Sequence, residues 1–189
     1  MAIEDIVINL SYDPFNPRLN FDAAIEYERL EQTASALSFY LRTAEYGDLE
    51  TDKLIMYAAL LKMSSCLDRQ ADRTHSVTNA ILQAIALDPV RPEGYFLMAQ
   101  FHERKGNWQE CYTWASMGEA RVIANDNTFP VDIGYYGPYC FTFEKAVSAW
   151  WIGRKEEAIE LFKELKAMDI EPEYAAAVGT NLTRIQADL

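Results

Sequence analysis

One short pattern returns along this chain and limits its possible folds more than any other feature. An acid followed by arginine closes three apolar segments, at Tyr27-Glu28-Arg29, Leu67-Asp68-Arg69 and His102-Glu103-Arg104. The acids are 40 residues apart (68 − 28) and then 35 apart (103 − 68). A fourth copy carries Trp150-Trp151 instead, 47 residues after Glu103 (150 − 103). Self-similarity with a period of roughly 20–50 residues marks a stack of small supersecondary units, each unable to bury its apolar face alone.

Between these marks the apolar residues recur at spacings of three and four, as in Leu37, Tyr40, Leu41 and Ala44, which is the helical period. Punctuation falls between such runs: Gly47-Asp48, Asp88-Pro89, Gly106-Asn107 and Gly153 stop helices, and Pro92 sits where a first turn tolerates proline. The expected elements are helix pairs over about 20–46, 52–88, 92–122 and 139–168, and a C-terminal capping helix within 169–189. An irregular insertion is expected over 123–138. Its turn residues, Asn125-Asp126-Asn127 and Gly137-Pro138, are mixed with Phe129, Ile133, Tyr135 and Tyr136, so it is expected to pack. Residues 1–19 read as an extended arm, because Ile6-Val7-Ile8 is β-branched and Asp13-Pro14-Phe15-Asn16-Pro17 blocks a helix. With half the residues hydrophobic, and only 8 glycines and 7 prolines, long helices are favoured over a many-turned β fold.

The period and the helix–turn–helix unit resemble the tetratricopeptide repeat (TPR). In that family a small residue lies where the helices of a pair cross; Ala24, Ser64, Ala99 and Ala146 stand there in the first helices. The second helices carry a small, then a bulky, then a small residue: Ala36-Tyr40-Thr43 and Val77-Ile81-Ala84 match. Cys111-Ala115-Gly118 lacks the bulky residue, and Ala158-Phe162-Leu165 keeps the first two. The resemblance covers about residues 20–168 and implies an all-α, TPR-like solenoid of about four helix pairs. A small residue lets helices approach to roughly 8–9 Å, and a large one on the next turn fills the space beside it. A narrower resemblance rests on Arg91-Pro92-Glu93-Gly94-Tyr95-Phe96, Gly106-Asn107-Trp108 and the run from Phe143 to Arg154. These are similar to helical-repeat regions carried beside or inside bacterial and bacteriophage glycosyltransferases, which implies an accessory role near sugar transfer.

No pattern for chemistry accompanies the repeats. There is no Asp-x-Asp, no glycine-rich phosphate loop after a strand and no Gly-x-Ser-x-Gly. His75 and His102 lack metal-spaced companions, and His102 reads as a packing residue. Cys66, Cys111 and Cys140 read as small core residues of a reducing compartment. No cofactor, metal or enzymatic activity is expected. A net charge of −12 repels nucleic acid and anionic membranes. With no basic-flanked apolar leader and no membrane-length run, a cytoplasmic location is expected.

The expected partner is a protein or peptide. In the family, first-helix residues face the concave groove, and here these are Phe21, Ile25, Glu28 and Arg29, then Leu61, Ser65, Asp68 and Arg69, then Phe96, Gln100, Glu103 and Arg104, and finally Phe143, Val147, Trp150 and Trp151. Carboxylate-binding members use lysines and asparagines on this face, which these positions lack. The acid–arginine pairs either cross-link neighbouring repeats or grip an acidic peptide. Adjacent helix residues point about 100° apart, so one of Trp150 and Trp151 belongs to the core and the other to the groove or an interface. Alternative functions are an accessory domain of a glycosyltransferase system and a bacteriophage structural or assembly protein.

Overall fold

The computed structural model describes residues 3–70, 72–121 and 129–187. Among them are ten α-helices and no strand: α1 (Ile3–Tyr12), α2 (Pro17–Arg29), α3 (Thr33–Tyr46), α4 (Lys53–Asp68), α5 (Thr74–Leu87), α6 (Glu93–Arg104), α7 (Trp108–Glu119), α8 (Tyr139–Trp151), α9 (Lys155–Lys166) and α10 (Pro172–Ala187). The Asn125-Asp126-Asn127 run and the last two residues, also assigned above, lie outside the described residues.

The extended arm expected over residues 1–19 is corrected: Ile3–Tyr12 is a helix. Ile6 and Leu10, four apart, are buried against Ala23 of α2. That burial outweighs the modest helix penalty of the β-branched run. The proline-bearing stretch separates two helices rather than excluding them. Asn16 caps α2 by accepting from the Leu19 N–H at 3.0 Å, and Pro17 takes the first helical position, where its missing N–H costs nothing.

The chain forms two compact units, residues 3–89 with 129–133, and residues 90–121 with 134–187. In the first, α1 through α5 pack each on the next; Phe21 and Ala24 of α2, Ala36 and Tyr40 of α3 and Ala58, Ala59 and Cys66 of α4 share one core cluster. In the second, α6 through α10 do the same; Ala146, Phe162 and Leu165 meet Val178 and Ile185 of α10.

Each position of the small–bulky–small pattern is buried. On α3 the buried residues are Ala36, Tyr40 and Thr43, and on α9 they are Ala158, Phe162 and Leu165. On α7, Cys111, Ala115 and Gly118 are buried, and a side chain from elsewhere supplies the missing bulk. A Cβ on Gly118 would overlap the Phe141 ring and press on Tyr95. Thus α8 delivers into α7 the aromatic that α7 itself lacks.

Three of the turns inside the pairs share one device. Gly106 and Gly153 have positive φ (70° and 86°), and Glu31 stands in the same conformation (φ 59°) after α2. At each, a Schellman closure forms: Gln32 N–H donates to Tyr27 O, Asn107 to His102 O and Arg154 to Ala149 O.

Candidate functional site

First-helix residues line a groove in each unit. In the first unit, Phe21, Ile25 and Glu28 stand at positions i, i+4 and i+7 of α2, and Lys62 and Arg69 at i and i+7 of α4, so each set forms one stripe. With Arg18, Asp22, Glu26, Arg29, Ile6 and residues 130–132, they enclose a cavity of about 730 Å³. Its charges are ordered around Glu28. One carboxylate oxygen accepts from Lys62 at 3.0 Å and from Arg69 at 2.8 Å; the other accepts from the Tyr40 hydroxyl at 2.7 Å. Burial pushes the Glu28 carboxyl up, but the Tyr40, Lys62 and Arg69 donors outweigh it and hold the group below its ordinary value. Arg29 pairs with Glu26 at 2.8 Å and Arg18 with Asp22 at 3.3 Å.

Residues 129–133, without regular secondary structure, belong to this unit. Phe129 and Val131 pack on its hydrophobic core, Phe129 edge-on to Tyr57 with centroids 6.0 Å apart.

In the second unit, Phe143, Val147, Trp150 and Trp151 of α8 line a cavity of about 550 Å³ with Glu103, Trp108, Phe162, Asn181, Arg184 and Ile185. Trp151 is 61% exposed and stacks on Trp108, with centroids 5.3 Å apart. Trp150 is half-buried under the Lys155 ammonium, 4.6 Å from its ring, a cation–π contact. On the same helix Glu144 is buried, 3% exposed, its Oε2 3.7 Å from Cys111 Sγ. Burial, with Glu103 adding to it, pushes the Glu144 carboxyl up to about 8, against the Gln100 hydrogen bond and the nearby Arg104. Burial likewise pushes the Cys111 thiol up, which keeps it from acting as a thiolate nucleophile.

Among the described residues no group of three or more His, Cys, Asp or Glu is placed to hold a metal ion. None of the helices is long and apolar enough to cross a membrane.

No protein-family model and no curated protein matches the chain. Solved structures do. The crystal structure of MamA protein aligns with a TM-score of 0.64 at 16% identity, over 90% of this chain and 87% of that one. The C-terminal part of a TPR repeat-containing protein from Cytophaga hutchinsonii gives 0.69 at 13% identity, over 98% of this chain and 66% of that one. Nearly identical TPR-like repeats from Podosopora anserina give 0.61 at 16%, over 93% of this chain and 88% of that one. The fold is a TPR-like α-solenoid.

Within this TPR-like fold the residues expected on the groove divide. Ile25, Arg29 and Arg69 line the first cavity, and Phe143, Val147, Trp150 and Trp151 the second. Phe21 lines the first with only its edge, being 2% exposed, while Leu61 and Phe96 are core residues at 0%. Ser65, Gln100 and Arg104 line neither of these two cavities; Gln100 and Arg104 face Glu144 instead. The sequence reading missed Lys62, which stands beside Leu61 and reaches Glu28, and it missed the buried Glu144. A lone acid within the stretch from Cys140 to Ala149, whose other residues apart from Thr142, Lys145 and Ser148 are apolar, was the available signal for the latter.

Proposed function

We propose that the protein is a non-catalytic scaffold that binds a protein or peptide partner along the face formed by its first helices. One observation carries this reading: accessible arginine and tryptophan side chains, Arg29 and Arg69 in one groove and Trp151 in the other, stand beside apolar side chains on first helices. Arginine and tryptophan are the side chains that dominate binding energy where proteins meet, because each combines large contact area with a directed polar group. The likeness to TPR repeats supports the fold on which such a face is built.

The test begins by identifying a partner recovered from cell extract with the purified protein. That partner is then titrated against wild type, Arg69→Glu and Trp151→Ala. A hot-spot role predicts at least about a 30-fold loss of affinity in one of the two variants, corresponding to ~2 kcal/mol. Unchanged affinity in both removes the first-helix face from the account.

The segments resembling glycosyltransferase-associated repeats support a second, narrower reading, in which the partner is a sugar-transferring enzyme or its acceptor. Recovery of such an enzyme in the same experiment would bear it out, and recovery only of partners unconnected with sugar transfer would count against it.

A further inference from the structure

Residues 129–133 of the same chain pack on the first unit and wall off part of its groove, and from their chemistry we infer that the partner is a peptide segment of the same kind: two apolar side chains two residues apart, followed by a carboxylate. The inference rests on the scaffold reading above and adds a regulator to it, since the resident segment competes with the partner for the groove.

Phe129 and Val131 pack on the core cluster of this unit, with the backbone bending at residues 130 and 131 between them. Pro130 fixes its own φ and restricts Phe129 before it, which lowers the ordering entropy that opposes docking. Pro130, Val131 and Asp132 form part of the cavity wall. The helices around them contribute four cations, Arg18, Arg29, Lys62 and Arg69, against three carboxylates, Asp22, Glu26 and Glu28. This local surplus of positive charge stands in a chain whose net charge is −12, and Asp132 brings the carboxylate that balances it. An incoming peptide must match both features, apolar anchors and an acid. A segment tethered in the same chain competes at high effective concentration, which lowers the apparent affinity by the fraction of molecules in which the groove is open.

Fluorescence anisotropy with an acetylated, amidated, dye-labelled peptide FPVDIG, copying residues 129–134, tests this on the full chain. Asp132→Lys is the central variant, because Asp132 is exposed and its loss leaves the apolar anchors and the fold in place. It weakens the resident segment, so it should bind the peptide about tenfold more tightly than wild type. Adding Arg69→Glu to Asp132→Lys should abolish that binding. On wild type, saturating peptide should speed hydrogen exchange at the amides of 131–133. Equal affinity in wild type and Asp132→Lys, or unchanged exchange, overturns the competition and leaves the scaffold reading standing. No binding to either protein overturns the assigned partner chemistry, whereas failure of the scaffold reading shows separately, as an identified partner indifferent to Arg69→Glu and Trp151→Ala.

Discussion

The hydroxyl of Tyr40 donates to Glu28 at 2.7 Å, so the ring that fills the first helix pair also orients the carboxylate that ties α2 to α4 through Lys62 and Arg69. Tyr40 is fully buried, and burial, followed by its bond to Glu28, pushes its own ionisation far above the ordinary range. It is therefore a constant donor. Tyr40→Phe keeps the ring and removes the donor, and should cost about 1 kcal/mol at neutral pH. Because the folded-state Glu28 carboxyl lies below its unfolded value of 4.5, the stability it confers is present above that value and lost as pH falls through the folded one. Urea denaturation of wild type and variant at pH 7 and pH 3 should show a gap that narrows in acid.

Glu144 behaves in the opposite sense. Its folded carboxyl sits near 8 against an ordinary 4.5. Between these values the folded state holds a proton that the unfolded state has released, so stability should decline as pH rises through that window and level off above it. The size is on the order of a few kcal/mol. Glu144→Gln, which keeps the shape and removes the titration, should flatten the decline in urea denaturation measured from pH 5 to pH 9. A wild type with constant stability across that range would contradict the buried, protonated assignment.

Gly118 stands in the last turn of α7, and replacing a helical glycine by alanine ordinarily stabilises by up to about 1 kcal/mol. Here the Phe141 ring and Tyr95 occupy the place of the methyl group, and overpacking of this kind costs about 1–3 kcal/mol. Gly118→Ala should therefore lower the melting temperature, and Phe141→Leu added to it should cost less than Phe141→Leu alone costs in wild type. Simple additivity would show that the two positions do not share one space.

Glu31 holds a left-handed backbone that its counterparts assign to Gly106 and Gly153. Glu31→Gly should stabilise by about 0.5–1 kcal/mol, because the conformation is unfavourable for any side chain bearing a Cβ. Thermal denaturation gives the answer directly, and a drop in melting temperature would mean that the glutamate side chain contributes more than its backbone costs.

The helix pairs were legible because helix crossing demands small residues at fixed phase, and Ala24, Ser64, Ala99 and Ala146 meet that demand where they fall. The groove was only half legible. Helix α4 buries ten of its 16 residues, so apolar residues run nearly all the way round it. Periodicity then cannot separate the side facing the next helix from the side facing a groove, which is why Leu61 was read as groove wall. Helix α1 was hidden by its β-branched run, whose helical form depends on contact with Ala23, a residue of the next helix. That the insertion packs was legible in its aromatic residues, Phe129 among them; where Phe129 and Val131 dock was not, since an irregular segment carries no period and its partners lie more than 60 residues away in sequence (129 − 66, to the end of the core set at Cys66).

The central claim is that partners bind the first-helix face, and photo-crosslinking tests it most directly. A photoreactive amino acid placed at Arg29, Arg69 or Trp151 reports on first helices; one placed at Leu41, Leu82 or Met117, exposed on α3, α5 and α7, reports on second helices. The account predicts covalent capture of a purified partner from the first set and little from the second. Capture confined to Leu41, Leu82 and Met117 would contradict it.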